Sequence, residues 1–307
     1  MRSVVYRTFL GMAYFGLFVV LGGILSLTAC ETVANVAAMG GLVTQEQADS
    51  IAQSADAVQK SFEDITPEQE YYIGRSVGAV ILDQYDTYDD PVANEYINIL
   101  GQSVALASDR PELFGGYRYQ ILDSDEINAF ATPSGLVFLT RGMLRLADSE
   151  DDVAAIVAHE VGHIVHQHGI KAIKTSRINT ALTSVALTSV QIASDEEIAE
   201  LTAAFEDSVQ DVTGTLVNSG YSRGAEREAD AEAVAILNRL GYDPKALIRV
   251  LQAMDQRLDP GGLDFAKTHP DPEDRIADIQ ENHDLSGFVS ASPAARRVRY
   301  QRALGGI

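Results

Sequence analysis

The segment His159-Glu160-Val161-Gly162-His163 combines residue types and spacing that suit a metal centre. On an α-helix, residues four apart lie about 40° from each other around the axis, so His159 and His163 project from one face and can hold one ion. Glu160 leans off that face, within reach of a water on the ion. Two imidazoles, an open coordination position and a carboxylate that takes a proton are what metal-assisted hydrolysis requires. A surface helix with scattered histidines is the plainer alternative. It fits poorly, because Ile156, Val157, Val161 and Ile164 make the segment too apolar to be wholly exposed.

A hydrolytic zinc site of this kind needs a third protein ligand. The chain has a single cysteine, so a carboxylate must supply it. In Glu226-Arg227-Glu228-Ala229-Asp230, the i,i+4 pair Glu226 and Asp230 shares a face. Glu226 is placed to bind the ion and Asp230 to accept a ring N–H from a liganding histidine. Glu228 points about 200° away from Glu226 and is the poorer ligand. Spacing alone leaves an acidic, solvated helix face as an equal reading.

The elements that must carry these residues are marked by their caps. Thr66-Pro67-Glu68-Gln69 reads as a capping box opening a helix to about Gln84, and Asp90-Pro91 opens another. Residues 117–122 alternate as a half-buried strand does. Asn128 to Thr132, the turn Pro133-Ser134-Gly135 and Leu136 to Thr140 read as a strand pair. Ser149-Glu150-Asp151-Asp152 caps the histidine helix, which is expected to reach Gln167 with Gly169 in the left-handed position. A later helix spans about Ser222 to Leu240 and stops at Gly241, and Asp243-Pro244 and Asp271-Pro272 start two more. The uncharged segment 178–194 has no clear assignment. The expected fold is α+β, mostly helical, with a small antiparallel sheet beside the histidine helix.

Composition limits the partners. Of 307 residues, 23 are basic and 44 acidic, a net charge of -21, which excludes a phosphate-neutralising nucleic-acid binder. Hydrophobic residues at 46% are enough to bury a core. Arg2 and Arg7 precede a charge-free stretch over 8–30 that ends Leu27-Thr28-Ala29-Cys30, a positive n-region and apolar h-region. The tetrad resembles a bacterial lipobox, with cleavage before Cys30 and acylation of its thiol; a plain membrane anchor is the alternative. This gives a signal peptide over 1–29, a lipid-anchored tether over 30–65, a catalytic domain over 66–285 and a basic tail over 286–307. The tail, with Arg296, Arg297, Arg299 and Arg302, reads first as a solvated terminal segment and second as one that folds back on the acidic body or touches anionic lipid.

The pairing of His159–His163 with Tyr221-Ser222-Arg223-Gly224-Ala225-Glu226-Arg227-Glu228-Ala229-Asp230 resembles the HtpX and CAAX-prenyl-protease family of zinc metallopeptidases. Asn128 to Gly135, Thr268-His269-Pro270 and Asp274-Arg275-Ile276 add to the likeness, which covers about residues 66–285. It is nearer to the periplasmic lipoprotein branch of LoiP- and BepA-like proteins, without the latter's C-terminal repeat domain, than to the multispanning members.

The resemblance implies a zincin-type domain holding one zinc ion through His159, His163 and Glu226, with Asp230 behind them and Glu160 as general base. It implies that His269 is either a switchable fourth ligand or an oxyanion donor. Arg275 is expected to stabilise the oxyanion or to pair with acids on its own helix, and Arg223 to be structural. His166 is expected to back the site or face solvent. Asn128, Ala129, Phe130 and Ala131 are expected to bind an extended substrate as an added strand. The function implied is a membrane-tethered endopeptidase on the periplasmic side of the cell envelope, the outer membrane being favoured, acting on unfolded or misfolded envelope proteins. The alternative is a latent or non-proteolytic assembly factor with an occluded zinc site.

Overall fold

The computed structural model describes residues 65–173, 207, 209–257, 269, 272–283, 285 and 293–307. Cys30, the signal and tether segments up to 64, and the segment 178–194 lie outside the described residues. In chain order the elements are helices α1 (Pro67–Gln84) and α2 (Pro91–Leu106), strands β1 (Arg118–Leu122), β2 (Ala129–Ala131) and β3 (Leu136–Thr140), and the short helix α3 (Arg141–Leu144). There follow α4 (Glu150–Val165), α5 (Arg223–Leu240), α6 (Lys245–Arg257), α7 (Pro272–Asn282) and α8 (Pro293–Leu304). A π-helical turn, Thr215–Ser219, precedes α5.

The helices begin where their caps direct. Thr66 accepts from the Gln69 backbone N–H at 3.2 Å while the Gln69 side chain accepts from the Thr66 N–H at 2.9 Å, and Pro67 takes the first helical position. Asp90, Ser149 and Ser222 cap α2, α4 and α5, and Gly241, at φ 67°, ends α5 in the left-handed conformation.

The fold class is α+β as expected, but the sheet is mixed rather than antiparallel. Its order is β1-β3-β2, with β3 parallel to β1 and antiparallel to β2. The β2–β3 hairpin folds β3 back between its two neighbours. Alternation of polar and apolar residues identifies a strand but is silent on the direction of its partner. The other edge of β1 is occupied by side-chain amides from α2. Asn98 both accepts from the Tyr119 N–H (3.1 Å) and donates to its carbonyl (2.7 Å), Asn94 accepts from the Ile121 N–H (3.1 Å), and Gln102 donates to the Tyr117 carbonyl (2.7 Å). Spaced four residues apart, the three amides follow one face of the helix along the strand.

Helix α4 runs through the centre of the main core, with Val153, Ile156, Val157, Val161 and Ile164 buried. It is one residue pair shorter than expected. The left-handed residue is Gln167, at φ 54°, rather than Gly169, and a helical turn resumes over 168–173. Residues 293–307 follow the second of the two readings of the tail, folding back on the acidic body rather than standing in solvent. Ala303 and Leu304 of α8 are buried in the same core, Arg296 pairs with Asp151 at 3.0 Å, and Arg299 binds Glu150 through two nitrogens. Arg249 of α6 pairs with Asp152 at 2.8 Å. Each acid in the first turn of α4 thus meets an arginine, adding to the favourable placement of negative charge at a helix N-terminus. No helix among the described residues is long and apolar enough to cross a membrane.

Candidate metal centre

Helices α4 and α5 meet closely enough to put their polar side chains in one place. A Cβ on Gly162 would lie 2.8 Å from the Ala229 carbonyl oxygen, so the glycine allows backbone-to-backbone contact at the middle of the histidine motif. From α4, His159 Nε2 and His163 Nε2 approach to 3.1 Å. From α5, the Glu226 carboxylate lies 3.5 Å from the first and 3.6 Å from the second. His269 joins them, and one ligand atom from each of the four residues falls within 4.8 Å of all the others. All four side chains are buried.

This donor set fits zinc. Metal–nitrogen bonds of about 2.0–2.1 Å in a tetrahedron put two ligand atoms roughly 3.3 Å apart, close to the separations found. Both carboxylate oxygens of Glu226 are buried with no hydrogen-bond partner among the described residues, although Oε2 is 2.9 Å from an Arg275 nitrogen. A divalent cation among these groups would satisfy them.

The surrounding groups orient the ligands. His159 Nδ1 lies 2.9 Å from Asp230 Oδ1, leaving Nε2 for the ion. Arg275, from α7, donates to both oxygens of Asp230 at 2.8 and 2.7 Å. The guanidinium therefore binds acids of α5 rather than acids of its own helix. Burial, opposed by the Arg275 charge, pushes the Glu160 and Glu226 carboxyls up to about 8. Burial works in the same direction on Asp230 but is outweighed by the charge and hydrogen bonds of Arg275, which hold it below the usual carboxylate range. Burial keeps His159, His163 and His269 neutral, the form that binds metal.

The structure gathers His159, Glu160, His163, Glu226, Asp230, His269 and Arg275 at one place. His269 Nε2 is 3.9 Å from Glu160 Oε1. Asn128, Ala129, Phe130 and Ala131 lie on and beside β2, which packs against α4, and all four are buried. Arg223 pairs with Asp274 of α7 at 3.3 Å, a structural bridge as expected. His166 is partly exposed, 3.9 Å from Glu228. Three neighbours of the site went unassigned in the sequence. Tyr221 stacks on His163 with ring centroids 4.1 Å apart, and His168 and Glu228 form a hydrogen-bonded pair behind the same histidine. Tyr221 and Glu228 belong to the motif around Glu226, which was the available signal. The buried side chains of Ile156, Leu247, Val250, Leu251 and Met254 leave a small apolar void beside His159, Glu160 and Arg275.

The sequence over residues 91–283 matches the model of peptidase family M48. The chain is 31% identical over 219 residues to the beta-barrel assembly-enhancing protease of Escherichia coli O157:H7, which covers 69% of this chain and 42% of that protein. A putative beta-barrel assembly-enhancing protease of Vibrio cholerae is 31% identical over 224 residues, 71% of this chain and 44% of its own. The mitochondrial metalloendopeptidase OMA1 of Schizosaccharomyces pombe is 32% identical over 160 residues, covering 50% and 43%. The matched region spans less than half the length of each of these relatives.

Proposed function

The chain belongs to peptidase family M48, and on that premise we propose that it is a zinc-dependent endopeptidase of the bacterial cell envelope that cuts misfolded or stalled envelope proteins. The convergence of His159, His163 and Glu226 on one point, with Glu160 beside them, carries the proposal. His159, His163 and Glu226 would hold a zinc ion, which would supply Lewis acidity towards a peptide carbonyl and lower the pKa of water to about 7. Glu160 accepts the proton of the attacking water and returns it to the leaving amine. Asp230 fixes the ring of His159, and Arg275 holds Asp230 and Glu226 in place while balancing their charge.

Substrate enters as an added strand on β2. In the β2–β3 ladder the Thr132 N–H bonds the Leu136 carbonyl and the Thr140 N–H bonds the Asn128 carbonyl. By the alternation of an antiparallel ladder, the backbone groups of Ala129 and Ala131 point away from β3, where the Asn128 side chain accepts from the Ala129 N–H at 2.9 Å. Acylation of Cys30 would tether the enzyme on the periplasmic side of a membrane. The names of the bacterial relatives support an envelope setting.

Digestion of an unfolded protein such as casein tests the proposal. Glu160→Gln is expected to keep its metal and lose at least about hundredfold in cleavage rate. Retained cleavage would overturn the mechanism. The burial of His159, Glu160, His163, Glu226 and His269 favours a second reading, a latent enzyme or assembly factor with an occluded centre. Absence of cleavage at any zinc level, together with chelator-sensitive melting, would select that reading.

A further inference from the structure

His163 is braced from behind by a residue that its helix could not present if it ran on unbroken. Five residues along a regular α-helix is a rotation of about 140°, which would carry His168 away from His163. The turn at Gln167, left-handed at φ 54°, breaks the helix and returns His168 to the same side. There His168 Nδ1 lies 2.8 Å from His163 Nδ1, and both rings are buried. On its far side, His168 Nε2 lies 3.0 Å from Glu228 Oε2, and Lys171 reaches the same oxygen at 3.3 Å.

We propose that His168, backed by Glu228, is the positioning residue of the metal ligand His163. The inference rests on the zinc reading above. With Nε2 of His163 given to the ion, its Nδ1 must carry the hydrogen and donate to His168 Nδ1. His168 then has its own hydrogen on Nε2 and donates it to the Glu228 carboxylate. Every tautomer along the line is fixed by the group at each end.

Helix α5 therefore supplies one ligand and both carboxylate braces. Glu226 faces the ion, Asp230 binds His159 directly, and Glu228, on the opposite side of the helix, reaches His163 through an intervening imidazole. The two imidazole ligands receive equivalent support from residues two positions apart in sequence.

The test is zinc affinity by competition with a chromophoric chelator, measured on the full chain with folding followed by circular dichroism. His168→Phe fills the space without an acceptor and is expected to weaken zinc by about 10–100-fold. His168→Asn places an amide oxygen near the position of Nδ1 and is expected to recover most of that loss. Glu228→Ala, at a side chain 51% exposed and so harmless to the core, is expected to weaken zinc in the parent but not in the His168→Asn background. A purely structural role for His168 would give neither the rescue nor the loss of coupling. His168→Phe binding zinc within twofold of the parent, or His168→Asn binding no better than a folded His168→Phe, would overturn the inference alone. A parent chain that takes up no zinc would overturn the metal reading and this inference with it.

Discussion

His269 is the fourth potential ligand in the cluster, and its role bears on whether the centre is closed. Catalytic zinc sites keep one position open, whereas four protein ligands fill a tetrahedron. His269 sits within the ligand cluster, is buried, and is held neutral chiefly by its burial. The arrangement fits a resting state in which this histidine must withdraw before water and substrate can enter. His269→Ala is expected to raise turnover of an unfolded substrate severalfold with zinc content unchanged, measured by peptide hydrolysis and metal analysis. A fall in turnover with zinc retained would instead make His269 an oxyanion donor. At this scale the sequence is most legible where spacing is local. His159, Glu160 and His163 share a site by helical geometry alone, whereas the i,i+4 relation of Glu226 and Asp230 leaves a solvated acidic face equally open until the family resemblance is added. His168 is hidden because its position depends on a break at Gln167, a residue without the usual signature of the left-handed conformation. Arg275 is named by the resemblance, but its partners are hidden because they come from a different helix.

The distance between α4 and α5 is the quantity that sets the ligand cluster. Gly162 and Ala229 are the contact, and any side chain added at 162 meets backbone rather than a flexible side chain. Gly162→Ala is expected to force the helices apart, costing about 1–3 kcal/mol of stability and weakening zinc binding together. Denaturant unfolding of the metal-free protein and chelator competition check the two effects. Unchanged zinc affinity in the destabilised variant would show that the ligands move independently of the helix axes. The helices themselves are legible because each announces its start with a capping side chain, as at Thr66, Asp90, Ser149 and Ser222. The parallel pairing of β1 with β3 is not, since a strand's alternation is the same whichever way its neighbour runs. Nor is the docking of α8, whose arginines find acids 145 and 149 positions earlier in the chain.

At the scale of the molecule, the metal and the fold are one equilibrium. Glu160 and Glu226 are acids buried in the core between α4, α5 and α7, and without a cation their ionisation is opposed by burial. Binding at a thousandfold excess over Kd stabilises a protein by about 4 kcal/mol, and a domain of this size shifts by roughly 2–4 °C per kcal/mol. Chelation is expected to lower Tm by roughly 8–16 °C, restored by zinc, in a calorimetric scan at neutral pH. A Tm indifferent to chelator would leave the four residues as a polar cluster without a metal.

The amides of Asn94, Asn98 and Gln102 along β1 bear on a different matter. An enzyme whose substrate is any extended polypeptide risks being occupied where it cannot cut, and each such encounter would act as self-imposed competitive inhibition. By satisfying the outer edge of β1 with side chains of α2, the fold makes that edge unable to recruit a strand. If substrate is captured as an added strand on β2, as proposed above, this arrangement would leave β1 out of that competition.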